Sequence, residues 1–118
     1  MSELSKSHDT DTVAIIRRTD THLVIPGETT LPFDTRRKDE TLEKTAYRLA
    51  GTLAHVDHVL PRPQADDAPV RTYLMKVPLE SITESDLLVE PATAETIIEQ
   101  HPMPATIKQL FNSAARLI

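Results

Sequence analysis

The sequence predicts an α+β fold in which one mixed β-sheet packs against helices. Three observations carry that expectation. Runs rich in β-branched residues come first and return after a central amphipathic helix. Two helical segments then close the chain, an order that suits a mixed sheet with helices on its sides. A length of 118 residues allows one hydrophobic core and leaves little room for a second. The polar opening MSELSKSHDTD has no apolar stretch of the secretory kind. Residues 1–11 therefore read as a flexible leader and residues 12–118 as a single domain.

The elements follow in order. TVAIIRR, from Thr12, and THLVIPG, from Thr21, have strand character, and TDT between them is turn chemistry, so the pair reads as a hairpin. Pro26 and Gly27 fit a type II turn, Pro fixing φ at the first central position and Gly accepting positive φ at the second. TTLPFDT returns as a short extended segment, where Pro32 disfavours helix at Leu31 and rules against a long central strand. KDETLEKTAYRLAGTLAHV then reads as the main helix, from Glu40 to Ala54. Asp39 is the expected N-cap, Glu40 and Glu43 sit where the helix dipole favours anions, and Leu42, Ala46, Leu49 and Leu53 form an apolar stripe. Gly51 is placed to loosen or end the last turn.

AHVDHVL and VRTYLMKVPL form a second, long hairpin across the Pro-rich, acidic loop PRPQADDAP. SITESDLLVE supplies a turn and a short apolar run, ATAETIIEQH a short helix, and Pro102 and Pro104 a break. ATIKQLFNSAARLI closes the chain as a helix with Ile107, Leu110, Phe111, Ala114 and either Leu117 or Ile118 on one side.

Composition excludes several kinds of chemistry. The absence of cysteine removes disulfides, thiolate nucleophiles and zinc-thiolate sites, and it suits a cytoplasmic location. No apolar run approaches the roughly 18 residues of a membrane span, so no membrane partner is expected. A formal net charge of −5 argues against a broad grip on nucleic acid. The local exception is Arg36, Arg37 and Lys38, of which Arg36 and Arg37 are candidates for holding a small phosphorylated ligand. Ser81, Ser85 and Ser113 lack a nucleophile-elbow glycine pattern, and two distant glycines cannot build a phosphate-cradling loop. In a regular strand His55 and Asp57 would face one way and His58 the other, so this cluster does not converge on a metal. His8, His22 and His101 are scattered.

One spacing carries more. Glu40 and Arg48 stand at the interval of the first glutamate and the arginine in GX5EX7REUXEEXGU, with U a bulky aliphatic, and Ala50 occupies a U position. Leu31-Pro32 precedes them, LEKTAYR leads to the arginine, and VRTYLMKVPL and the closing segments follow in order. On these residues the chain resembles the Nudix family from Thr12 onward. The resemblance implies a Nudix-like α/β/α sandwich. It also implies hydrolysis of a nucleoside diphosphate linked to another moiety, with Mg²⁺ or Mn²⁺ as cofactor. In this register Asp34 replaces the opening glycine, Leu49 a glutamate, Thr52 and Leu53 the adjacent glutamate pair, and His55 the second glycine. A register opening at Gly27 puts Phe33 where glutamate is needed and is rejected.

The departures fall on the metal chemistry. Hard cations need several oxygen ligands, which helix carboxylates one turn apart supply from one face, whereas leucine cannot coordinate. The resemblance implies Glu40 and Arg48 as catalytic residues; in a divergent hydrolase the metal would fall to Glu40 and Glu43, the latter a displaced carboxylate outside the motif positions. Asp34, Asp39 or Glu90 are the carboxylates from which a displaced site could be rebuilt. Read as helix chemistry alone, Glu40 serves the helix start and Arg48 holds the preceding loop, and this is the reading favoured.

Three functions follow. The favoured one is a Nudix-like module with a degenerate, inactive site and no metal cofactor, binding a nucleotide-like ligand or regulating a partner. The second is a divergent Mg²⁺- or Mn²⁺-dependent hydrolase. The third is an interaction protein, a homodimer or heteromer, using Leu49 and Leu53 on the helix as its interface.

Overall fold

The structure is a computed structural model and describes residues 12–27, 31–61 and 70–118. The expected leader, with His8, and most of the Pro-rich loop lie outside the described residues. Among these residues six strands and three α-helices follow in the order β1 (Thr12–Arg18), β2 (Leu23–Ile25), β3 (Phe33–Thr35), α1 (Leu42–Ala50), β4 (His55–Val59), β5 (Val70–Lys76), β6 (Leu87–Val89), α2 (Pro91–Gln100) and α3 (Ala105–Ala115). A 3₁₀ turn, Leu79–Ser81, lies between β5 and β6. Among the described residues no helix is long and apolar enough to cross a membrane.

The sheet runs β4-β5-β1-β2-β6. Strand β1 pairs in parallel with β5 along its whole length, from Thr12↔Val70 to Arg18↔Lys76. Its other edge is shared: Thr12, Val13 and Ala14 pair antiparallel with β3, and Arg17 and Arg18 with β2. Between them the Ile15 N–H donates to the Pro32 carbonyl at 3.0 Å, so the edge stays satisfied where neither strand covers it. A proline ahead of β3 suits that place, because β3 is short and lies at a boundary of the sheet.

Both faces of the sheet are covered, which accounts for the near-continuous apolar run in β1. Val13 and Ile15 join Tyr73, Met75 and Ala46 on one face, with Leu42 and Leu49 of α1 packed against them. Ala14 and Ile16 join Leu23, Ile25 and Leu74 on the other, against Ala94 and Ile98 of α2 and Leu110, Phe111 and Ala114 of α3. The result is the expected mixed sheet between helical layers. Ile107 of α3 and Ile118, just beyond its end, pack against that core while Leu117 stays 40% exposed, which decides between the two candidate ends of the stripe.

Helix α1 is shorter than its sequence predicts at both ends. Its N-cap is Thr41, not Asp39: the Thr41 hydroxyl accepts from the Lys44 N–H at 3.1 Å. Glu40 is drawn out of the helix because its own N–H donates to the Arg37 carbonyl at 3.0 Å in a tight turn. At the other end Gly51 adopts φ +104° and ψ 163°, and its N–H closes on the Tyr47 carbonyl at 2.8 Å. The helix stops at Ala50, so Thr52 and Leu53 belong to the following turn, and Leu53 is 67% exposed. The stripe therefore consists of Leu42, Ala46 and Leu49.

Two further local expectations are corrected. Gly27 does not take the positive φ of a type II turn; a Cβ there would lie 2.2 Å from the Ser85 carbonyl oxygen, so close backbone approach is what demands glycine. In β4 the pairing slips between Val56↔Met75 and His58↔Leu74, leaving Asp57 as an extra residue. Paired residues of neighbouring strands share a face, and Lys76 and Leu74 point the same way in β5. His55 and His58 consequently lie on one face, not on opposite ones.

The dihedrals of Gly51 lie where a side chain is strained, although a Cβ there would meet nothing within 4 Å. Gly51→Ala is expected to lower unfolding stability by about 1–3 kcal/mol through backbone strain alone. Urea denaturation with an unchanged slope is the measurement that checks it.

Candidate functional site

The two motif residues meet. The Arg48 Nε donates to Glu40 Oε2 and Nη2 to Glu40 Oε1, each at 2.8 Å, a bidentate pair. The same guanidinium reaches Asp34 Oδ2 through Nη1 at 2.8 Å and the Thr35 carbonyl through Nη2 at 3.3 Å. Arg48 in the helix thus fastens β3 and the loop after it, which fits the favoured reading of this residue.

Glu40 is engaged from several sides. Besides Arg48, its Oε1 accepts the Arg37 N–H at 3.0 Å and lies 3.2 Å from the hydroxyl of buried Thr45. These donors, Arg48 first and the Arg37 N–H next, hold the Glu40 carboxyl down from 4.5 to about 2. The two acidic partners in turn raise the Arg48 pKa. Asp34 is lowered as well, by Arg48 and by the Thr35 N–H that donates to its Oδ1 at 2.7 Å.

The other candidates are dispersed. Glu43 is exposed on the first turn of α1, Asp39 is exposed in the loop, and Glu90 is exposed ahead of α2, where it makes no side-chain cap. Arg36 Nη1 donates to the Glu40 carbonyl at 3.1 Å, so it stitches its own loop, while Arg37 and Lys38 are exposed. Leu49 is half-buried against the sheet. Among the described residues no three His, Asp or Glu side chains come together as a metal ion would need.

Two arginines that local spacing does not single out hold the far end of β1. Arg17 donates to both oxygens of Asp86, at 2.8 and 3.3 Å, and the Thr83 N–H adds a third bond at 3.1 Å. Burial works against the Asp86 charge, but the Arg17 and Thr83 donors outweigh it and lower its pKa. Arg18 pairs with Asp57, the bulged residue of β4, and donates to the Thr19 and Asp20 carbonyls at 3.0 and 3.1 Å. The partners stand 69 and 39 residues away in the chain, beyond any motif's reach. An open cleft of about 680 Å³ lies beside this bracing, and Leu53 and His55 are the motif positions that line it.

No family model matches the sequence, and no curated protein matches it. The fold is similar to that in the crystal structure of a NUDIX-family hydrolase from Clostridium perfringens. The TM-score is 0.57 at 9% sequence identity, over 93% of this chain and 97% of that one. The chain therefore has a Nudix-like fold, and at that identity the likeness speaks for the fold alone.

The Glu40 pair has a pH signature. Its carboxyl is lowered on folding, so the unfolded chain binds more protons between pH 4.5 and about 2, and stability falls with pH across that window. The contribution is complete above pH 4.5. Arg48→Met removes the leading cause for both Glu40 and Asp34, so its unfolding midpoint is expected to drop less than that of the wild type over the same interval. Thermal melts at stepped pH compare the two.

Proposed function

We propose that this chain is a ligand-binding or regulatory module on a Nudix-like fold, without the diphosphate hydrolysis that the sequence resemblance implies. One observation carries the reading: both oxygens of Glu40 are occupied by Arg48, and Oε1 also takes the Arg37 N–H and faces the Thr45 hydroxyl. A carboxylate so engaged has little left for a cation. Mg²⁺ or Mn²⁺ does not fit the remaining described residues. Leu49 packs on the sheet, Thr52 and Leu53 lie beyond the helix end, and among the described residues the exposed Glu43 joins no carboxylate group of the kind a hard cation requires.

A binding role makes physical use of the same contacts. Arg48 fixes the segment from β3 to α1 without needing a metal to order it, so the scaffold is pre-formed when a ligand arrives. The test pairs turnover with binding. With Mg²⁺ or Mn²⁺ and a panel of nucleoside diphosphate derivatives, release of phosphate or of a monophosphate is expected to stay at the blank. A small ligand that binds is expected to raise the melting temperature instead, by about 2.7 kcal/mol of stabilisation at a hundred times its Kd. Metal-dependent turnover abolished by Glu40→Gln would sink the proposal.

A further inference from the structure

The cleft beside Leu53 lies where the β1–β2 turn, the residues after β5 and the segment joining α1 to β4 meet. Its volume of about 680 Å³ is of the size that small-molecule sites occupy. Three of its lining residues are solvent-exposed leucines: Leu53 is 67%, Leu79 63% and Leu88 38% exposed. Three leucines converging on one concave surface stand apart from scattered exposed side chains, because a single apolar body can cover them together.

Most of the rest of the lining is polar and held in place by hydrogen bonds. It carries Lys76, His22 and His55, with Asp20 as the one carboxylate. The turn that presents them is tied internally: the Thr19 N–H donates to the His22 carbonyl at 2.8 Å, and the Thr19 hydroxyl accepts the His22 N–H at 3.1 Å. Arg18 grips the carbonyls of Thr19 and Asp20, and the Val77 N–H donates to the Arg18 carbonyl at 2.8 Å. His22 Nδ1 lies 2.7 Å from the Thr21 hydroxyl, which orients the ring. Lys76 Nζ meets Asp20 Oδ1 at 2.5 Å, yet both groups are open to solvent at 47% and 76%. Such an exposed pair is weak, and a visiting anion can exchange for Asp20.

The charge arrangement limits what that anion is. A phosphate dianion is held by guanidinium forks, helix N-termini, clustered backbone N–H groups or several positive charges together, and one lysine balances only part of its charge. Here the nearby guanidinium of Arg18 is already engaged with Asp57 and two carbonyls, and Asp20 would repel a dianion. One ammonium in a cleft that imidazoles and three exposed leucines also line suits a single negative charge on an apolar body. We propose that this cleft binds an aryl- or acyl-carboxylate, its carboxylate at Lys76 and its apolar part against Leu53, Leu79 and Leu88. The assignment rests on the binding-module reading above for its biological sense, and on the cleft for its chemistry.

The full chain titrated with 2-naphthoate under amide NMR tests it, with 2-naphthamide and 2-naphthyl phosphate as comparators. Naphthoate is expected to shift the amides of Thr19 to His22 and of Lys76 to Leu79. It should bind about tenfold more tightly than the neutral amide, the scale of one charge-assisted hydrogen bond. Lys76→Gln should weaken naphthoate by about the same factor and leave naphthamide unchanged, while Leu53→Ser weakens both. No shift at these amides, tighter binding of the phosphate than of the carboxylate, or indifference to Lys76→Gln would each overturn the assignment. Naphthoate binding at the cleft together with metal-dependent turnover of diphosphates would overturn the binding-module reading and uphold this one.

Discussion

Strand β1 is the constraint on which the rest depends, because it is buried on both faces and paired along both edges. Val13 and Ile15 must find α1, Ala14 and Ile16 must find α2 and α3, and no single layer can satisfy both sets. Burying a Val or Ile side chain fully is worth about 1.5–3 kcal/mol before the entropy of ordering it. A run of such residues with no polar alternation therefore compels a layer on each side. The parallel partner β5 completes the centre, and a parallel pair needs a crossover that carries the chain over a face. Helix α1 lies within that crossover, which is why the motif helix sits where it does.

The charged residues then divide into those that build and those that remain available. Arg17 and Arg18 leave β1 on opposite faces and are engaged with Asp86 and Asp57 respectively. Arg48 does similar work at the start of α1, joining Asp34, Thr35 and Glu40. Three of the most versatile anion-binding groups in the molecule are thus turned on the protein itself. Among the described residues that line the cleft, Lys76 is the one ammonium or guanidinium.

The architecture was legible because it depends on periodicity, and periodicity is local. TVAIIRR, VRTYLMK and the stripe of α3 each state their own burial, and the strands and helices form at those places. What local pattern missed were competitions between neighbours. Asp39 is a good capping residue, but Thr41 wins the cap because Glu40 is held in a turn by Arg37. Gly51 ends the helix one turn before the apolar stripe does, so Leu53 changes from a core residue to an exposed one. Strict alternation placed the β4 histidines on opposite faces, and one inserted residue reversed that. Of the candidate site, the Glu40–Arg48 spacing was readable and their contact followed. The cleft was not readable, since Thr19 to His22, Leu53 and Lys76 to Leu79 meet only in three dimensions.

The inserted residue in β4 has a consequence for how the molecule behaves among its own copies. β4 is the outermost strand on its side of the sheet, and an outer strand offers unpaired backbone groups to any extended chain that drifts past. A regular strand would be a template. With Asp57 bulged out and held by Arg18, the spacing of donors and acceptors along β4 is uneven, and a charge stands in the middle of the row. Val59, 48% exposed next to this break, is thereby left as an isolated apolar residue and not as part of a sticky edge. The contact that braces the β1–β2 turn also keeps the sheet finite.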